Sequence, residues 1–248
     1  MLHIQFHENV AEIRMDRPPA NALNRELVER LLAALETARM DGAHAIILTG
    51  RPGMFSGGLD VPELLKQDRR QIEAFWSLFF SLTRQLAASP VPVIAALSGH
   101  APAGGAVLAM TCDYRIGVTG KYRIGLNEVQ VGLPIPNAIL VALEEIVGTR
   151  VARQLAIRGE LLTMDQALSV GLIDELVAPE ELMSTALSRA GELLALPPVA
   201  MNTTRLATKS RVIEALSSSA DATTAAGWWF SAETQAEMTR LVARLRKT

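Results

Sequence analysis

The sequence predicts an α/β fold with mainly parallel strand pairing. Three observations carry that reading: short apolar runs bounded by turn residues alternate with amphipathic stretches, glycine-rich loops follow two of those runs, and strand signals fade past Asp174. Uninterrupted apolar runs are expected where a strand is covered by helices on both faces.

The elements follow in order. Residues 4–15 alternate apolar and polar side chains, as in a β-hairpin turning near His7, Glu8 and Asn9. Asn24 then precedes the stripe Leu27, Val28, Leu31, Leu35 and Ala38, one face of a helix that Asp41-Gly42 ends. AIILTG (45–50) reads as a strand buried on both faces, followed by the loop GMFSGGLD (53–60) and a helix through Phe75 to Leu86. VPVIAAL (91–97) is a second buried strand, whose loop SGHAPAGG (98–105) leads into another helix. CDYRIGV (112–118) gives a third strand and YRIGLNE (122–128) a fourth. From Pro179 onward only helices are expected, broken at Pro197-Pro198. Residues 1–190 thus form the core and residues 191–248 a helical C-terminal segment. Trp228, Trp229 and Phe230 are consecutive there and cannot all face one side of a helix. They either wrap a buried corner or meet another subunit, and the low charge around them favours the subunit contact.

Bulk properties exclude several function classes. With 24 basic and 26 acidic side chains the formal charge is −2, which suits neither nucleic acid nor an anionic membrane as partner. One cysteine, Cys112, and four scattered histidines offer no metal-ligand spacing, so no metal is expected. The uncharged stretch 85–112 is long enough to raise a membrane span, but Pro90, Pro92, Gly99, Pro102, Gly104 and Gly105 interrupt it. The first residues lack the basic-then-apolar pattern of a signal peptide, and the expected location is the cytoplasm. No G-x-G-x-x-G, Walker-type G-x-x-x-x-G-K-[ST] or G-x-S-x-G is present, against dinucleotide, P-loop and serine-hydrolase chemistry.

Three segments remain that can carry chemistry. In FSGGLD (55–60), small residues let backbone approach a ligand, Asp60 can cap a helix start, and Pro62 suits its first turn. The same segment also reads as a plain strand-to-helix turn. GHAPAGG (99–105) again joins a buried strand to a helix whose start favours negative charge. Two such loops can each offer one N–H to a single oxygen. In the third segment, Glu128 lies among Ile124, Leu126, Val129, Val131 and Leu133. A carboxylate in apolar surroundings holds its proton more tightly and becomes a base useful near neutrality. A solvent-facing loop glutamate is the alternative.

Together these segments resemble the crotonase (enoyl-CoA hydratase/isomerase) superfamily. FSGGLD resembles its F-[SA]-[AG]-G-x-D pattern, GHAPAGGAVLAMTCDYRI its second signature, and RPPANALN (17–24) its N-terminal CoA-contacting motif, across Arg17 to about Asp174. The resemblance implies a spiral of ββα units followed by C-terminal helices, assembled as a homotrimer or a dimer of trimers. It implies oxyanion-hole amides at Leu59 and Gly104, and an acyl-CoA thioester site along Ser56, Gly57, Gly58, Leu59 and Asp60, with the Gly57 carbonyl near the adenine and Ala20 in the N-terminal motif. Hydratases of this superfamily carry one catalytic Glu after the second glycine loop and another in the third segment. Here the first position is Val107 and the second Glu128. PAGG, CDYRI and YRIGLNE look like the mitochondrial-type 3,2-trans-enoyl-CoA isomerases, which keep one Glu and place Asn127 against substrate. The implied activity is isomerisation of 3-enoyl-CoA to 2-trans-enoyl-CoA with Glu128 as base and acid. No cofactor is implied, because coenzyme A is part of the substrate. Hydration or another acyl-CoA reaction is the alternative, and a non-enzymatic binding protein a more remote one. Lys66, Arg69, Arg70 and Lys209 are candidates for the CoA phosphates.

Overall fold

The computed structural model describes residues 1–217 and 220–245. The chain opens with the hairpin β1 (Leu2–His7) and β2 (Val10–Met15), turning at Glu8 and Asn9 as the alternation predicts. α1 (Arg25–Met40) follows, capped by the Asn24 side chain, which accepts from the Leu27 N–H. β3 (Ala45–Thr49), β4 (Gly53–Met54), α2 (Val61–Leu64) and α3 (Arg69–Ala87) form the next unit. β5 (Val93–Leu97), β6 (Gly99–Pro102) and α4 (Gly104–Thr111) repeat it, and β7 (Tyr114–Val118) and β8 (Arg123–Gly125) begin a third. A 3₁₀ turn at Glu128–Val131 leads to α5 (Asn137–Arg158), β9 (Leu162–Thr163), α6 (Met164–Ser169) and β10 (Glu175–Val177). The chain ends in α7 (Leu182–Leu194), α8 (Pro198–Thr208), α9 (Ser210–Ala215), α10 (Ala220–Trp229) and α11 (Ala232–Leu245).

Two sheets result. The larger has the order β1-β2-β3-β5-β7-β10, with β1–β2 antiparallel and the remaining pairs parallel. The smaller runs β4-β6-β8-β9. Each turn of the chain thus adds one strand to each sheet before its helix, the ββα spiral implied by the family motifs. Alternation within β3 sorts its side chains between two cores: Ile46 and Leu48 join the main cluster, while Ala45 and Ile47 meet Leu182, Ala186 and Ala190 of α7. That double coverage explains why β3 and β5 carry no polar face.

Three expectations are corrected. The fourth strand stops at Gly125, and Asn127 and Glu128 lie beyond it, with Glu128 opening the 3₁₀ turn. Strand signal does not end at Asp174: β10 adds a short edge to the larger sheet. It is too short to read from composition and is fastened by Asp174, whose carboxylate accepts from the Arg115 backbone at 2.8 Å and pairs with its guanidinium at 2.7 Å. The tryptophan cluster is no exposed patch. Trp229 is buried in the main core, α10 packs on α3, and the Arg69 guanidinium sits 5.0 Å over the Phe230 ring.

Close backbone contact holds the first two strands of the smaller sheet together. A methyl group added at Gly99 would fall 1.9 Å from the Gly53 carbonyl carbon and 2.4 Å from the Met54 nitrogen, where β4 pairs with β6. Gly191, on an exposed face of α7, has nothing within 4 Å of such a methyl. Gly99→Ala should therefore cost at least about 3 kcal/mol, because backbone rather than a flexible side chain must move. Gly191→Ala should stabilise by about 0.5–1 kcal/mol through helix propensity. Urea denaturation midpoints of the two variants check this contrast in sign.

Candidate active site

The RPPANALN segment threads along the FSGGLD loop and fixes it residue by residue. The Gly57 N–H donates to the Ala20 carbonyl at 2.7 Å, the Leu23 N–H to the Gly58 carbonyl at 2.7 Å, and the Asp60 N–H to the Leu23 carbonyl at 3.0 Å. In this parallel bridge Leu23 engages the residues flanking Leu59, so the Leu59 N–H points the other way. Ser56 is fully buried behind the loop, its hydroxyl donating to the Asn21 carbonyl at 2.9 Å and accepting from the Gly58 N–H at 3.2 Å. Arg17 closes the arrangement, pairing with Asp60 at 2.7 Å and Glu63 at 3.2 Å, while Asp60 caps α2.

The second loop lies directly against the first. A methyl on Gly58 would stand 3.2 Å from the Gly104 amide nitrogen, and one on Gly104 would stand 3.4 Å from Gly58 Cα. Gly105 faces the Ser56 carbonyl so closely that a methyl would come within 2.4 Å. Ala103, at φ +48 and ψ −122, turns the chain sharply into α4, held by its N–H on the Gly125 carbonyl at 2.8 Å. Gly104 then opens the helix with its N–H unspent. Neither the Leu59 nor the Gly104 N–H has an acceptor among the described residues. Two free amides on adjoining loops, one at a helix start, can share a developing negative oxygen.

These loops form one wall of a cavity of about 610 Å³. Arg17, Pro18, Pro19, Ala20, Asp60 and Pro62 line it from the N-terminal segment, the first loop and the start of α2. Its apolar lining includes Trp76 and Phe79 of α3, Val107 of α4, Leu133, Ile139 of α5, and Met238 and Leu241 of α11. Asn127 and Glu128 also line it. The cavity's ionisable side chains are Arg17, Asp60 and Glu128, and the first two are bound to each other. Glu128 is buried with Oε2 lacking any hydrogen-bond partner, and burial pushes its carboxyl up to about 7.

The structure brings Ala20, Gly57, Leu59, Asp60, Gly104, Asn127 and Glu128 onto one cavity. Ser56 and Gly58 stand behind the wall instead, shaping it: one by hydrogen bonds, the other by its φ of +84. Lys209 does not approach the cavity. It pairs with Asp113 at 2.6 Å, beside Arg205 of α8. Arg69 is engaged by Phe230, and Lys66 and Arg70 are exposed where α2 gives way to α3. Sequence reading did not find Trp76, Phe79, Met238 or Leu241, whose helical periodicity looks like that of any core face. Cys112 is buried, which pushes its thiol to about 12 and leaves it inert. Among the described residues no group of three metal-ligating side chains occurs, and no helix is long and apolar enough to cross a membrane.

A buried carboxyl that titrates near 7 has a stability consequence. Its folded value lies above the ordinary 4.5, so its contribution is fully present below that value and is lost as pH rises through about 7. Glu128→Gln should therefore be more stable than the parent at pH 8, by on the order of 3 kcal/mol at most. Near pH 4 that advantage should vanish. Melting curves of both proteins at the two pH values test it, and an unchanged difference would show that Glu128 is well solvated.

Comparison with known proteins adds independent evidence. The sequence model of a family described as enoyl-CoA hydratase/isomerase matches residues 5–239. The human protein called enoyl-CoA delta isomerase 1, mitochondrial, is 36% identical over 211 residues, covering 82% of this chain and 70% of that one. Its rat counterpart is 34% identical, and the match spans 66% of its length and 76% of this chain. A probable enoyl-CoA hydratase of Mycobacterium avium is 33% identical over 75% of this chain and 72% of its own. Among solved structures, human mitochondrial delta3-delta2-enoyl-CoA isomerase superposes with TM-score 0.96 at 31% identity, covering 99% and 98% of the two chains. An enoyl-CoA hydratase from Mycobacterium ulcerans gives 0.85 at 29% identity, covering 91% and 99%.

Proposed function

Because the chain belongs to the enoyl-CoA hydratase/isomerase family, we propose that it moves the double bond of 3-enoyl-CoA to 2-trans-enoyl-CoA, in the breakdown of unsaturated fatty acids. The observation that carries this reading is the single unengaged carboxylate of the cavity: Glu128 sits on a wall shared with Val107, and Asp60 is taken by Arg17. Moving a double bond needs one base that removes and returns a proton. Adding water also needs a group that places and activates the water, and valine does neither. Similarity to both isomerases and hydratases leaves this choice to the residues of the cavity.

In this reading the thioester oxygen lies between the Leu59 and Gly104 amides. Glu128 takes a proton from C2. The electrons of that C–H bond pass into the thioester, giving a dienolate whose oxygen the two amides stabilise, each by about 3–4 kcal/mol. The protonated Glu128 then delivers its proton to C4, and the remaining electron pairs settle as the C2–C3 double bond and the restored carbonyl. A carboxyl near 7 suits both halves, being basic enough to accept and acidic enough to return. The CoA moiety lies against Arg17, Ala20, Gly57 and Pro62, with Lys66 and Arg70 as remaining phosphate candidates, and Asn127 contacts the substrate beside Glu128. The acyl chain takes the apolar lining, and no cofactor takes part.

Purified protein assayed with 3-enoyl-CoA should isomerise it, and 2-enoyl-CoA should be hydrated at least ~10²-fold more slowly. Glu128→Gln should lose at least ~10²-fold in isomerisation while still binding acyl-CoA. In the parent, kcat/KM should rise with pH through about 7, because the ionised carboxylate is the competent form. A folded Glu128→Gln enzyme running at the parental rate would show that the base lies elsewhere.

The assembly we propose is a homotrimer or a dimer of trimers. No apolar residue of α8 is fully buried within its own chain, and its Val199 is 79% exposed and neighbouring Leu196 49%. Such apolar exposure beside a groove formed by Leu193, Pro197 and Met201 suits a second copy of this chain. Light scattering should return a mass that is a multiple of three chains, and a monomer would refute the assembly.

A further inference from the structure

Glu128 owes its place to a turn that little local sequence explains. The turn Glu128–Val131 is closed by Gly132 at φ +71, and the Leu133 N–H returns to the Glu128 carbonyl at 3.0 Å. On one side the end of α5 supports it, where a methyl at Gly159 would fall 2.7 Å from Val129 Cγ2 and the Gln130 side chain donates to the Arg158 carbonyl. On the other side stands α11. Its Thr234 is fully buried, and the hydroxyl donates to the Gly132 carbonyl at 2.5 Å across more than a hundred residues of chain. Ser231 caps the helix and donates to the same Thr234 hydroxyl at 2.9 Å, so the Thr234 proton is directed at Gly132. The fit leaves no slack, since a methyl at Gly132 would meet Thr234 Cα at 3.3 Å.

We infer that Thr234 is a positioning residue for Glu128, locking the turn that carries the carboxylate to the C-terminal helix. Two observations beyond the hydrogen bond support this. Thr234 shares one face of α11 with Met238 and Leu241, both on the cavity wall, so the helix that lines the cavity also fixes the base. Glu128 Oε2 has no partner of its own, so the carboxylate takes its direction from the backbone of this turn. The hydroxyl of Thr234 therefore acts through Gly132 and the turn on the distance between Glu128 and the substrate's C2. The inference rests on the isomerase reading given above.

Thr234→Val keeps the shape and removes the donor, and Thr234→Ser keeps the donor and removes a methyl. The probe is trans-3-octenoyl-CoA, assayed in the alkaline plateau of the pH profile. Thr234→Val should lower kcat about tenfold, the scale of a sub-ångström misplacement, with KM within about twofold. Thr234→Ser should restore kcat to within about twofold of the parent. Gln235→Leu serves as control: it removes the bond from the Gln235 side chain to the Trp229 carbonyl, loosening α10 from α11 without touching Gly132, and should leave kcat unchanged. A parental kcat in folded Thr234→Val, failure of serine to rescue, or an equal loss in Gln235→Leu would overturn the inference. Should the Thr234→Val chain fail to fold, a low kcat in a folded Thr234→Ser would overturn it equally. Parental isomerisation that is absent, or indifferent to Glu128→Gln, would remove both this inference and the reading beneath it.

Discussion

Everything at this site depends on two loops approaching more closely than side chains allow. Gly58, Gly104 and Gly105 meet where a single methyl would lie about as close as 2.4 Å to backbone. Gly99 meets the Gly53 backbone just as closely, where β4 pairs with β6. Without a Cβ at these points, one loop presents the amide of Leu59 and the other that of Gly104, each directed into the same cavity. The ββα repeat makes this possible because successive units place equivalent strand ends side by side. The amides are left over by geometry: one by a parallel bridge that uses only its neighbours, the other by its place at a helix start.

The second constraint is energetic, and it opposes the first in kind. Amides free of partners are tolerable at the edge of a cavity, where solvent or a ligand can reach them. A buried carboxylate is not tolerable in the same way: burial raises Glu128 to about 7, so the folded protein gives up stability to hold it ionised. Structure that costs stability persists only when the surroundings over-determine it. Here the surroundings are Gly159 and Arg158 at the end of α5, Thr234 of α11, and the apolar side chains of the main core.

Much of this was legible in the residues, for reasons that can be named. β3 and β5 read correctly because double coverage leaves no polar position, and Asn24, Asp60 and Pro62 announced helix starts through hydrogen-bonding chemistry that acts within a few residues. Gly57, Leu59, Asp60 and Gly104 were likewise local, since they sit in two loops whose composition is forced by close approach. What escaped was decided at a distance. β10 is held by Asp174 reaching back to Arg115, and the strand expected through Glu128 ends at Gly125, whose φ of +147 sits against the Glu160 carbonyl. Ser56 looked like a ligand contact because it stands in a ligand loop, yet its hydroxyl is spent on Asn21 and Gly58.

The same distinction separates the parts of the reaction. On the proposed reading, the charge that develops on the thioester oxygen is met by the first half of the chain, in motifs dense enough to recognise. The apolar lining, which on that reading meets the acyl group, comes from α3, α4, α5 and α11, elements far apart in sequence whose side chains serve as core and as cavity wall at once. Substituting Phe79 or Met238 would change packing as well as cavity shape, so on that reading acyl selectivity and stability are tied. The proposed oxyanion contacts are tied to stability differently: backbone amides carry them, and they depend on Gly58, Gly104 and Gly105 having no side chain. This explains why the two glycine loops stand out in the sequence while the apolar lining of the cavity stays hidden until the helices are folded around it.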